Sequence, residues 1–164
     1  MKTQKRRRNE GKTNYLVRMK LLKSEKPRVV FRKTNKHVIA QYIKSEAGQD
    51  SVIFGVTSKA LIKYGWSEKF VGSLKSVPAS YLTGYLAGKK VIKEEMEEPI
   101  VDLGMQRPVK KSKVFAFIKG LVDSGIKIKC DSENFPEEER LEGRSTKEDI
   151  SKMVAEIKGK IDNL

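Results

Sequence analysis

The chain has 164 residues, with 35 Lys or Arg against 21 Asp or Glu and a formal net charge of +14. One Cys and one His are too few for a disulfide framework or a zinc site, and no apolar run approaches the ~18 residues of a membrane-spanning helix. The length suits one domain carrying an arm or tail. The excess charge is uneven: residues 1–44 hold fifteen Lys or Arg and only Glu10 and Glu25 as acids, and the rest of the chain is nearly balanced.

Residues 1–14 are polar, lack an apolar period, and are predicted to be disordered or nascent helix in free solution. No signal-peptide apolar core lies within Met1–Pro27, which predicts a cytosolic, reduced protein. NYLVRMKLLKS (14–24) places Leu16, Met19 and Lys20 or Lys23 at helical spacing and predicts a short helix that Pro27 ends. RVVFRKT (28–34) changes to period two, with Val29, Phe31 and Lys33 on one face and Val30 and Arg32 on the other. TNKH is a turn signal in which Asn35 is expected at positive φ. HVIAQYIK (37–44) alternates again, EAGQD (46–50) is a second turn, and SVIFGVT (51–57) is a third strand. Three strands with tight connections predict an antiparallel meander.

Residues 58–76 read as a helical turn followed by a loop. Ser76 as N-cap with Pro78 in the first turn starts a long helix. Leu82, Tyr85, Leu86 and Val91 or Ile92 are directed to a core, and Gly84 and Gly88 are expected to allow close approach to a sheet. PIVDLGM (99–105) is a short strand. VFAFIKGLVDSG (114–125) is an amphipathic helix with Val114, Phe117, Ile118, Leu121 and Val122 on one side and Gly125 as its C-terminal stop. IKIKC (126–130) alternates as a fifth strand, with Cys130 a small buried residue at its end. DSENFPEEERLEG (131–143) is an acidic loop. The last segment opens with a capping box, Ser145 to Glu148, and carries Ile150, Met153, Val154, Ile157 and Ile161 as one stripe. The order β-β-β-α-β-α-β-α predicts an α/β fold, a mixed five-stranded sheet with helices packed on it. The expected divisions are a basic arm (1–27), an α/β core (28–130), and the acidic loop with the C-terminal helix (131–164).

A run of like charge repels itself and calls for a polyanion. Nucleic acid comes first, because phosphate neutralisation supplies most of the affinity of such chains. An anionic membrane comes second, although the arm has no apolar face broad enough to insert. Arg6, Arg7 and Arg8 have the fork geometry for phosphates, and Tyr15 suits stacking on an exposed base. The charge continues onto the first hairpin at Arg28, Arg32, Lys33 and Lys36. His37, with no partner in a catalytic motif, is an ordinary hydrogen-bonding histidine that can donate to a phosphate or base. The strand order also fits ribonuclease-H-like nucleases, which need several carboxylates at strand ends to hold two metal ions. Asp102 and Asp131 are near strands, but the first strand has no acid, so the motif is expected without its catalytic site. No Walker or dinucleotide spacing is present.

Two long blocks and the arm then become familiar. RRRNEGKTNYLVRMKLLKSEKPRVVFRKTNKHVIAQYI resembles the arm and first hairpin of the ribosomal protein L-eighteen family, called L-five in eukaryotes. GWSEKFVGSLKSVPASYLTGYLAGKKV and KVFAFIKGLVDSGIKIKCDSENFPEEERLEGR resemble its archaeal form. The resemblance implies a non-enzymatic, cytoplasmic ribosomal constituent with a three-layer α/β core. It also implies binding of 5S rRNA in the central protuberance of the large subunit, and contacts to 23S rRNA and to neighbouring ribosomal proteins, including the other 5S-binding protein. No cofactor, small-molecule substrate or membrane is implied. The RNA-contacting motif falls on Arg6, Arg7, Arg8, Gly11, Lys12, Thr13, Tyr15, Arg18, Lys20, Arg28, Arg32, Lys33, Asn35, Lys36 and His37, with Lys5 beside them. Gln41 also matches. The sequence ends at Leu164, short of the extension of eukaryotic members, so contacts made there are not implied. EKFVGSLKS departs from the family pattern and receives no RNA contact. RPVKKSKVF is more basic than that pattern and puts Lys110, Lys111 and Lys113 forward as a second contact. The alternative reading is a sequence-nonspecific nucleic-acid-binding protein.

Overall fold

The first strand, β1 (Arg28–Lys33), becomes the centre of a four-stranded sheet. The computed structural model describes residues 3–143 and 148–164. β2 (Val38–Glu46) and β3 (Gln49–Thr57) follow antiparallel, and β4 (Ile100–Asp102) pairs parallel with β1, giving the order β3-β2-β1-β4. The sheet is therefore mixed. The β2–β3 turn narrows to Ala47-Gly48, both at positive φ (47° and 80°), the twist a two-residue hairpin favours. The first turn closes differently from the sequence expectation. Asn35 is not at positive φ; instead the Thr34 hydroxyl accepts the His37 amide at 2.9 Å and the Lys36 amide at 3.3 Å. A local side-chain bond replaces the special backbone angle.

The fifth strand is absent. IKIKC forms no ladder: Ile126 donates its amide back to Leu121 at the end of a helix, and its side chain is buried in the helical core. Alternation reported half-burial, which a chain running beneath helices satisfies as well as a strand does. Cys130 is accordingly half-buried rather than enclosed.

α1 (Arg6–Asn9) and α2 (Tyr15–Leu22) lie in the arm. α3 (Val77–Lys93), α4 (Lys113–Asp123), α5 (Glu138–Glu142) and α6 (Glu148–Asp162) build the body. Residues 58–76 contain two 3₁₀ turns, Ser58–Tyr64 and Glu68–Ser73. The acidic loop also has structure: a 3₁₀ turn, Ser132–Asn134, precedes α5, whose Leu141 is buried.

α3 is starred by Ser76, whose side chain accepts the Ala79 amide, and by Pro78. It touches β2, β3, α4, α5 and α6, and twelve of its seventeen residues are buried. Its glycines serve α4, not the sheet. A Cβ on Gly84 would stand 2.2 Å from the Phe117 carbonyl oxygen, and one on Gly120 would stand 2.2 Å from that of Tyr81. Gly88 meets Ser124 in the same way. From Gly84–Phe117 to Gly88–Ser124 the contacts advance along both helices, so α3 and α4 run roughly parallel with their N-termini at the same end. The expected α6 stripe is buried: Ile150, Met153, Val154, Ile157 and Ile161 join the core that holds Phe31 and Phe117. Ser145 of the expected capping box lies outside the described residues.

Candidate nucleic-acid interface

One face of the sheet meets the helices through Val29, Phe31, Ala40 and Tyr42. The register puts Arg28, Val30 and Arg32 opposite Ile43, Gln41 and Ile39 on the other face. There β1 departs from simple alternation, since Arg28 and Val30 are buried as fully as Val29. The arm stands over this face. Asn14 caps α2 by accepting the amides of Leu16 and Val17, a signal the sequence reading passed over. The short helix expected there is present, no residue of it is buried, and Leu16 and Met19 are exposed.

Arg18 ties the arm to the sheet. It donates to both oxygens of Asp50, at 2.8 and 3.0 Å, and to the Gly48 carbonyl at 3.2 Å. Asp50 in turn accepts from Arg28 at 2.7 Å and from the Ser45 hydroxyl at 2.6 Å. Arg28 also donates to Asp102 on β4 at 2.8 Å and to Ser45 at 2.8 Å. The result is a chain of charge, Arg18–Asp50–Arg28–Asp102, that joins the arm to β3, β1 and β4. Burial pushes the Asp50 carboxyl up, but the bonds from Arg18 and Ser45 and the two guanidinium charges outweigh it and hold the group below its usual range. The bond to Asp50 raises Arg18 in turn. Asp50 and Ser45 carried no signal in the sequence, because their role depends on a register that only pairing creates.

Between arm and sheet lies a cleft of about 810 Å³. Its walls carry Arg7, Lys12, Thr13, Tyr15, Arg18, Arg32 and Lys33, and its floor includes Val30, Ile39 and Ile43. With Arg28, eight of the residues expected to contact RNA thus converge on one space, with cations around an apolar floor and the Tyr15 ring.

The other expected residues are placed as follows. Lys5 lies over the Tyr15 ring, 4.6 Å from its centre. Arg6 and Lys12 approach Glu10 at 3.7 and 2.8 Å, and Arg7 donates to the Thr13 hydroxyl at 2.9 Å. Arg8, Lys20, Asn35 and Lys36 are exposed. Arg28 lines the cleft, but its side chain is only 2% exposed and both arms of its fork are taken. His37 is half-buried; burial, then Lys59 and Lys36, push its pKa down, so the ring is neutral near pH 7. Its Nδ1 is enclosed without a partner. Lys110 and Lys111 lie apart from the cleft and face the acidic segment, Lys111 2.6 Å from Glu137 and Lys110 3.9 Å from Glu133. Among the described residues no three His, Cys, Asp or Glu side chains converge to hold a metal ion, and Asp102 is engaged by Arg28. No helix among them is long and apolar enough to cross a membrane.

An α/β body with a cationic cleft beneath its basic N-terminal segment suits a polyanion partner, and comparison with known sequences gives the family. Residues 1–98 match the family described as "Ribosomal large subunit proteins 60S L5, and 50S L18". The large ribosomal subunit protein uL18 of Korarchaeum cryptofilum is 46% identical over 138 residues, 84% of this chain and 69% of the relative. That of Thermofilum pendens is also 46% identical, over 84% and 68% of the two chains. That of Methanosphaera stadtmanae is 42% identical over 142 residues, 87% and 72%. The chain belongs to this ribosomal family, in its archaeal form. It is a structural, non-enzymatic constituent of the large ribosomal subunit and works in the cytoplasm within the ribosome.

Proposed function

We propose that the chain binds 5S rRNA through its arm and cleft and attaches it to 23S rRNA in the central protuberance of the large subunit. The observation that carries this reading is the cleft itself. Arg7, Lys12, Arg18, Arg32 and Lys33 surround an apolar floor beside Tyr15, a combination suited to phosphates and an unstacked base together. The ligands proposed are Lys5, Arg6, Arg7, Arg8, Lys12, Thr13, Tyr15, Arg18, Lys20, Arg32, Lys33, Asn35, Lys36 and His37, the last as a neutral donor. Arg28 supports them as scaffold. Family membership supports an rRNA partner, and the acidic segment 131–143 suits a basic ribosomal neighbour, the other 5S-binding protein being one candidate. We infer for the body a ribonuclease-H-like motif without its catalytic site, a reading the mixed sheet of order β3-β2-β1-β4 supports.

Deleting residues 1–27 tests the reading. Because no residue of α2 is itself buried and the hydrophobic core lies on the other face of the sheet, the body should keep its far-ultraviolet circular dichroism while 5S rRNA affinity falls at least tenfold. Intact binding by the deleted chain would dispose of the arm's role. The wild-type chain should show a slope of several units against log salt, since each neutralised phosphate contributes roughly 0.7–0.9. Competition between 5S rRNA and duplex DNA separates this reading from a sequence-nonspecific binder, which would lose both equally.

A further inference from the structure

Several lysines, all but Lys33 outside the cleft, gather where β1 ends. The Phe31 and Phe117 rings, 4.9 Å apart, lay α4 against β1. Lys33 stands two residues beyond Phe31 on the strand, and Lys113 one turn before Phe117 on the helix, so both reach the same end of the sheet. Lys75 immediately precedes the Ser76 cap of α3, whose N-terminus lies beside that of α4. Lys36 occupies the β1–β2 turn. Lys59 follows Ser58, whose hydroxyl accepts the Val38 amide at 3.1 Å and so fixes that segment to the start of β2.

Five ammonium groups from separate segments therefore share one end of the molecule. None of them makes an ion pair among the described residues. Their mutual repulsion is felt: burial, then Lys33 and Lys75, draw the Lys113 amine below its ordinary pKa. This contrasts with Lys110 and Lys111, which have acidic neighbours within the chain. A cationic surface with no internal acid is self-repelling until an external anion covers it. The parallel N-termini of α3 and α4 add their positive dipole ends. Lys33 belongs to this surface and to the wall of the cleft, so the two are continuous.

We propose that this end, built on Lys33, Lys36, Lys59, Lys75 and Lys113, is a second RNA surface that contacts the phosphates of a backbone segment beyond the one held by the arm. The proposal rests on the rRNA-binding reading above. The test is a salt series on the full chain binding 5S rRNA and, separately, 23S rRNA. Three proteins are compared: wild type, Lys59→Gln/Lys75→Gln/Lys113→Gln, and an arm variant, Arg6→Gln/Arg7→Gln/Arg8→Gln. The expected result is that the lysine variant loses about two units of salt slope with at least one of the two RNAs, as roughly three lost phosphate contacts require. Its affinity should fall about tenfold or more, and its thermal midpoint should not fall, because repulsion is removed. Wild-type slope and affinity in the lysine variant with both RNAs, beside a weakened arm variant, would overturn the second surface and assign this end to an acidic protein. Wild-type behaviour in both variants, or no binding by the wild type, would bring down the rRNA-binding reading and this inference with it.

Discussion

Arg28 separates scaffold from ligand, and replacing it with Ala tests which it is. The side chain is 2% exposed and holds Asp102, itself 12% exposed, and Asp50, 30% exposed. Removing one partner of a buried ion pair costs about 3–5 kcal/mol, because the other charge is left without compensation. The cost here is smaller, since Asp50 keeps Arg18 and Ser45 and is partly hydrated, and Asp102 keeps the Gly104 amide at 2.8 Å. About 2–4 kcal/mol is expected after that discount. For a chain of this size that lowers the thermal midpoint by on the order of 10 °C. Urea and thermal unfolding followed by circular dichroism near pH 7 measure it. Arg28→Lys should fall between, because one ammonium cannot fork to two carboxylates and a hydroxyl at once. At temperatures where Arg28→Ala is folded, its 5S rRNA salt slope should equal that of the wild type. Wild-type stability together with a slope reduced by about one unit would refute the scaffold assignment and return Arg28 to the RNA ligands.

A substitution in the α3–α4 contact and one on an open helix face form a pair. Gly84→Ala should cost about 3 kcal/mol or more, because its Cβ would meet the Phe117 backbone, which has no room to yield. Gly159→Ala on α6 meets nothing within 4 Å and should instead stabilise by about 0.5–1 kcal/mol, by helix propensity; paired urea titrations decide both. Acid should destabilise the protein through Asp50 and through Asp162, whose carboxyl is held down first by Lys89 and then by the Tyr85 hydroxyl. Folded values below unfolded ones mean that this stabilisation is full above roughly pH 4 and is lost as pH falls through the folded values. Urea midpoints recorded from about pH 6 down to about pH 2 should therefore decline, and Asp50→Asn should flatten part of the decline. An unchanged pH profile in that variant would remove Asp50 from the explanation.

Much of the body was legible because local pattern and tertiary role agree. The stripe Ile150, Met153, Val154, Ile157 and Ile161 has a single apolar face, and that face is buried. Ser76 and Pro78 mark the start of α3 by backbone chemistry alone. Where one pattern serves two environments, reading failed. IKIKC alternates as a strand would, yet it buries Ile126 against helices. Leu16 and Met19 have helical spacing, and α2 forms there as expected, although neither side chain is buried. Val30 was assigned a face correctly, but not its burial beneath the arm. Lysine identity in particular carried no information about pairing. Lys110 and Lys111 have acidic neighbours within the chain, whereas Lys75 lies among cations that make no ion pair among the described residues.

The amino-acid order alone determined that this protein carries its excess charge in the first quarter, that the meander precedes the long helices, and which family it resembles. Those properties follow from composition, period and local capping, which need no distant partner. Only the tertiary structure decided that Arg28 is enclosed by Asp50 and Asp102, that Gly84 receives a helix, and that Lys33, Lys75 and Lys113 share one end. A charge is free or neutralised according to what stands within a few ångströms of it, and for these residues the neighbours come from strands and helices far away along the chain.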